Sequence, residues 1–201
     1  MTILEDRQSL PAAAAAVLDF WFGPFDDPAA GAPRAVWFKV DAAFDRAVGT
    51  SCAALHRAAA AGQLDAWATT PLGCLALLIL LDQVPRNLFR GTPAAYATDA
   101  QARALAHAAV AAGLDRALSP LRRWFVYLPF EHSEALEDQR RSLALFKALP
   151  DHPERDATLE AARHHHDIIA RFGRFPHRNA ILGRPSTAAE AAFLQEPNAS
   201  F

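Results

Sequence analysis

Arg171-Phe172-Gly173-Arg174-Phe175-Pro176-His177-Arg178-Asn179 sets three arginines, a histidine and two phenylalanines at a place where a helix must stop. Gly173 can adopt the left-handed conformation that closes a helix, and Pro176 prevents its resumption, so the run reads as a helix exit into a loop. Phe172 and Phe175 anchor that loop to a core. Arg171, Arg174, His177, Arg178 and, farther on, Arg184 add positive charge, with no acid between Asp167 and Glu190. Working back, Pro153 opens the helix that delivers the run. At about 100° per residue, Glu160, Arg163, His164, Asp167 and Arg171 share one arc, while Ala161, Ala162, Ile168, Ile169 and Phe172 share the other. His165 and His166 fall on the apolar arc.

The same grammar of caps and breakers recurs along the chain, and strand alternation does not, so the fold class is all-α. Pro11 reads as the start of the first helix, which ends at Gly23-Pro24, and Phe25 to Pro33 reads as a loop. A second helix starts near Arg34 or Asp41 and ends before Gly62. Thr70-Pro71 opens a nearly apolar helix that Pro85 is expected to end, placing Asp82 in its last turn with a need for a cationic partner, either Arg86 or an arginine of the 171–184 segment. Arg86 to Pro93 reads as a basic, aromatic loop. Thr98 with Gln101 suggests a capping box, as does Thr187 with Glu190. Ser119-Pro120 opens a helix that Pro129 is expected to break, and Ser133 can cap the next. One compact multi-helix domain over residues 1–201, frayed at 1–10 and 196–201, is the simplest organisation.

The 201 residues carry a formal net charge of −2, which argues against a nucleic-acid-coating protein. Cys52 and Cys74 are isolated thiols without metal-ligand spacing, and the N-terminus lacks the basic-then-apolar order of an export signal, so a cytoplasmic setting is expected. The longest apolar run, Leu72 to Leu81, is about half of the roughly 20 residues a membrane span needs and reads as a core helix. No cofactor, metal, nucleic acid or membrane is expected.

Dinucleotide, P-loop, zincin and serine-hydrolase motifs are all missing from the sequence. What remains are clusters. Glu131-His132-Ser133-Glu134 places carboxylates beside an imidazole, a combination suited to acid–base work and equally to a solvated helix start. Arg86-Asn87 and Arg178-Asn179 each follow a proline, and two such loops meeting would clamp an anion; the same arginines could instead satisfy helix-end carbonyls and pair with Asp82, Glu131 and Glu134. His165, on the apolar arc, reads as a hydrogen-bonded core residue or as a catalyst oriented from another element.

Phe20-Trp21-Phe22-Gly23, Leu81-Asp82-Gln83-Val84-Pro85-Arg86-Asn87 with Arg90-Gly91-Thr92, Tyr127 through Glu134, and Asp167-Ile168-Ile169 through Arg178-Asn179 with Leu182-Gly183-Arg184 form a set of motifs spread from about Val17 to Leu194. This set resembles the bacterial domain-of-unknown-function family DUF924. The resemblance implies a tetratricopeptide-like helical fold and carries no agreed activity. It singles out Asp82, Arg86, Asn87, Glu131, His132, Glu134, His165, Arg174, His177, Arg178 and Asn179; Val84 stands where a larger residue is expected. On this reading Glu131, His132 and His165 are the catalytic candidates, and the other eight line a site for a small carboxylate- or phosphate-bearing molecule. The alternative is a non-catalytic helical scaffold for a protein partner, in which the polar motifs are structural.

Overall fold

The computed structural model describes residues 2–27, 31–197 and 199. Among them every regular element is helical and no strand occurs, in agreement with the all-α expectation. Packing gathers them into two compact units: the described residues of Met1–Arg90 with Ala94–Pro129, and those of Gly91–Pro93 with Phe130–Phe201. Of the ends expected to fray, Met1, Asn198, Ser200 and Phe201 lie outside the described residues, as do residues 28–30 of the expected loop.

In the first unit, helix α1 (Ile3–Ser9) precedes the expected start at Pro11. Thr2 and Glu5 close its first turn as a capping box, and Asp6 Oδ2 accepts the Leu72 N–H at 2.7 Å, which ties it to a second helix start. Helices α2 (Ala12–Phe22) and α3 (Ala42–Ala60) follow, the latter capped by Asp41 on the N–H groups of Ala43 and Phe44. Trp21, Phe22, Trp37, Phe44 and Phe125 interlock by stacked and edge-to-face contacts, so these five rings form one aromatic core. Helix α4 (Pro71–Leu78) has Thr70 accepting from Gly73 N–H and proline at its first position, and its apolar run is buried as expected.

Pro85 does not end this helix. The backbone passes through a π-helical turn, Ile79–Gln83, in which the Val84 N–H reaches the Ile79 carbonyl, and continues as α5 (Val84–Leu88). Proline removes a donor and widening the turn loosens the regular ladder, so carbonyls there need other partners. Side chains supply them: His56 Nδ1 lies 2.9 Å from Leu80 O, Thr98 Oγ1 donates to Leu81 O, Arg86 Nη1 to Asp82 O at 2.6 Å, and Asn87 Nδ2 to Gln83 O at 3.0 Å. Four consecutive carbonyls are thereby served from outside the main-chain ladder. Arg86 and Asn87 consequently belong to a helix and not to the expected loop.

Thr98 precedes α6 (Asp99–Ala111), yet the expected capping box is not formed. Its hydroxyl is committed to Leu81 O, and Gln101 Nε2 donates to Ala60 O. Pro129 likewise falls inside helix α7 (Pro120–Glu131) where a break was expected. The helix continues two residues past the proline, to Glu131.

In the second unit, α8 (Leu136–Lys147) packs on α9 (Arg155–Phe172). Gly173, at φ 70°, closes α9 with its N–H on Ile169 O, the left-handed exit expected of it. The chain then makes a short 3-10 turn, Pro176–Arg178, and ends in α10 (Ala188–Phe193), which carries the expected Thr187–Glu190 capping box. Ile168, Ile169, Phe175 and Phe193 form the core of this unit, with Leu136, Phe172 and Leu194 packed against it. At about 1.5–3 kcal/mol per buried side chain, the segment after α9 is an integral part of that core.

Candidate functional site

Eight of the residues singled out by sequence, Glu131, His132, Glu134, His165, Arg174, His177, Arg178 and Asn179, fall in the second unit; Asp82, Arg86 and Asn87 fall in the first. The second set is organised by the helix exit. Gly173 turns the chain, Phe175 is driven fully into the core, and the 3-10 turn then presents His177 and Arg178 around that buried ring. The Arg178 guanidinium lies 4.6 Å from the Phe175 ring centroid, His177 5.6 Å and His165 5.7 Å, with His132 6.3 Å from His165. Arg178 Nη2 donates to His132 O at 3.0 Å. A guanidinium and two imidazoles thus gather on a single phenylalanine, with a third imidazole beside His165.

His165 is 6 % exposed, and its Nδ1 lies 2.8 Å from Ala161 O and 3.3 Å from Glu131 Oε1. A carbonyl oxygen only accepts, so Nδ1 carries the hydrogen and Nε2 is the basic nitrogen. Burial holds this imidazole well below the ordinary histidine pKa, and the nearby His132, His164 and Arg178 push the same way against the Ala161 bond. The ring is therefore neutral, and its contact with Glu131 is not an ion pair. His177 is lowered to about 4, first by burial and then by Arg178, with Glu134 opposing. His166, on the same arc by sequence, instead contacts the exposed Asp167 at 2.9 Å.

The remaining acids and arginines hold the exit loop. Glu134 accepts the Phe175 N–H at 2.8 Å and two bonds from Arg184, at 2.7 and 2.9 Å. Burial works to raise its pKa, but these three donors outweigh it and the carboxyl stays ionised below the usual range. Arg184 Nε also donates to Asn179 Oδ1 at 3.0 Å, and Asn179 Nδ2 to Ser186 Oγ at 3.1 Å. Arg174 forms a two-bond pair with Glu190, at 2.6 and 2.8 Å, which with the Thr187 N–H keeps Glu190 far below the normal carboxylate range.

In the first unit Asp82 is buried, accepts from Gln83 Nε2 at 2.7 Å and lies 3.4 Å from Arg86, the cationic partner expected for it. Arg86 also grips Asp99 with bonds of 2.9 and 3.2 Å. Burial disfavours the charged guanidinium; Asp82 and Asp99 prevail, and its pKa is raised.

Sequence reasoning missed Gln139, which is wholly buried and donates from one Nε2 to Glu131 O and Ser133 O, at 2.7 and 2.6 Å. Its signal was available: Gln139, Ser142 and Phe146 recur at helical spacing on the buried arc of α8, where two polar residues are unexpected. Ser133, expected to cap α8, instead donates to Asp138 at 2.7 Å while accepting the Ala135 N–H at 3.1 Å. Two surface depressions lie elsewhere, one of about 300 Å³ beside Trp67 and Thr70 and one of about 310 Å³ beside Leu143 and Leu159. Neither includes a candidate residue. Among the described residues no group of three His, Cys, Asp or Glu side chains is arranged to hold a metal ion, and no helix is long and apolar enough to cross a membrane.

The molecule is an all-helical protein with a histidine–arginine cluster built on a glycine-closed helix exit. The chain belongs to the family described as bacterial protein of unknown function, DUF924, whose model matches residues 17–198. It is similar to the solved structure of the protein of unknown function ATU0120 from Agrobacterium tumefaciens, with 43% identity, a TM-score of 0.81, and coverage of 92% of this chain and 97% of that one. No functionally curated protein matches it.

Proposed function

We propose that the protein binds a small carboxylate- or phosphate-bearing compound at the cluster around Phe175, with Glu131, His132 and His165 as the groups that would act on it. The observation that carries this reading is the placement of one guanidinium and two imidazoles within 4.6–5.7 Å of a single buried ring. A guanidinium recognises oxyanions through planar paired donors, and a neutral imidazole whose Nδ1–H is held by the Ala161 carbonyl has a basic Nε2 suited to moving a proton. Glu134, Arg174 and Asn179 then position the loop. A cytoplasmic setting fits this reading, since Cys52 and Cys74 are free, buried thiols and not a disulfide.

The competing reading is an interaction scaffold with tetratricopeptide-like packing. It is favoured by the use of Arg86 and Asn87 on helix carbonyls and of Arg174 on Glu190, all internal roles. A thermal-shift series on wild type, Arg178→Lys and Arg178→Ala with phosphate, sulfate and succinate, at fixed ionic strength against chloride, separates the two. Anion-dependent stabilisation that Arg178→Ala loses supports binding. A wild type indifferent to every anion, with Arg178→Ala strongly destabilised, leaves the scaffold.

A further inference from the structure

A second pair of arginines, outside the cluster around Phe175, surrounds the ring that follows α2. Arg7, in the last turn of α1, and Arg122, the third residue of α7, place their guanidinium carbons 5.3 and 5.1 Å from the centroid of the same Phe25 ring. Arg122 also lies 5.7 Å from the Phe22 ring. One carboxylate serves this pair: Asp19 Oδ2 accepts from Arg7 Nη2 at 2.6 Å. Arg7 Nη1 is buried and meets no hydrogen-bond acceptor. Arg122 makes ring contacts and, among the described residues, no hydrogen bond or ion pair.

Two cations against one anion leave a surplus positive charge in partly buried surroundings. Ring faces attract a guanidinium but accept few of its directional N–H bonds, so donors remain to be satisfied. Arg122 also occupies the first turn of a twelve-residue helix, the positive end of its dipole, where a cation is disfavoured and an anion favoured. Burial and then Arg7 both act against its charged form, with Asp19 opposing. Surplus charge and the helix end both favour an anion here.

We propose that Arg7 and Arg122, gathered on the Phe25 ring, form an oxyanion-binding site, distinct from the cluster around Phe175, that takes a phosphate or carboxylate group. Asp19 holds Arg7 in place through Nη2. Phe25 sets the orientation of both arginines.

The test uses the full-length protein labelled with nitrogen-15 in arginine, titrated with orthophosphate in one arm and acetate in the other, at fixed ionic strength against chloride. The side-chain Nε–Hε signals of Arg7, Arg122 and Arg178 are assigned from Arg7→Lys, Arg122→Lys and Arg178→Lys. The expected result is saturable movement of the Arg7 and Arg122 signals with one shared midpoint, weakened about tenfold or more by Arg122→Lys because an ammonium cannot replace the paired donors. The arm with the lower midpoint identifies the preferred oxyanion. Small linear shifts common to all arginines overturn the proposal, as does saturable movement of Arg7 unchanged by Arg122→Lys. Arg178 is read in the same spectra, so failure here and failure of the Phe175 site are seen separately.

Discussion

The carboxylate of Glu134 and the guanidinium of Arg184, fifty positions apart in the chain, are joined by two bonds of 2.7 and 2.9 Å, and the same carboxylate accepts the Phe175 N–H. The pair therefore fixes the backbone at the residue whose ring carries the histidine–arginine cluster. Glu134→Ala removes the acceptor of a guanidinium and of a main-chain donor together. A fully buried broken pair costs about 3–5 kcal/mol and an exposed one about 0–1; with both side chains about a quarter exposed, a loss of roughly 2 kcal/mol is expected. Glu134→Gln, which keeps an acceptor, should lose less. Urea unfolding of both variants and of Arg184→Ala, combined in a double-mutant cycle, measures it; additive effects would show that the pair does not hold the loop.

Thr98 is expected to matter through one hydroxyl. Thr98→Val keeps the side-chain volume but leaves the buried Leu81 carbonyl of the π-turn without its side-chain donor, a loss of about 1–3 kcal/mol. Thr98→Ser should recover most of it. If valine and serine variants melt together near the wild-type temperature, the hydroxyl is not what stabilises this turn.

The buried histidines predict an acid-labile fold. With His177 lowered to about 4 and His165 lowered as well, both mainly by burial, the unfolded chain takes up protons near pH 6.5 before the folded chain does. The stability they contribute is thus fully present above about pH 6.5 and is lost as pH falls towards 4, at up to about 1.4 kcal/mol per pH unit for each group. Glu134, lowered from 4.5, loses its contribution only in more acid solution. Urea midpoints from pH 7 to pH 5 should fall for the wild type and fall less steeply for His177→Gln. An equal slope in the two proteins would remove His177 from this account.

Much of the fold could be read from local chemistry. A glycine that must take positive φ, a threonine ahead of proline, and threonine three positions before glutamate are short-range devices, and Gly173, Thr70-Pro71 and Thr187–Glu190 all act as their sequence context dictates. The misreadings share one cause. Pro85 lies in continuous helix because His56 and Thr98, distant in the chain, and Arg86 and Asn87, one turn on, supply donors to its carbonyls, and Thr98 forms no capping box because its hydroxyl serves Leu81.

Sequence by itself determined the all-α class, the helix exit at Gly173 and the list of residues able to carry chemistry, because caps, turns and the 3.6-residue period act over a few positions. Tertiary structure alone decided which of those residues meet. Arg184 pairs with Glu134 and Arg174 with Glu190, while His165, His177 and Arg178 gather on Phe175. Any arginine can bond any carboxylate, so side-chain chemistry leaves these pairings degenerate. Packing of the buried phenylalanines, which fixes where each backbone segment lies, removes the degeneracy.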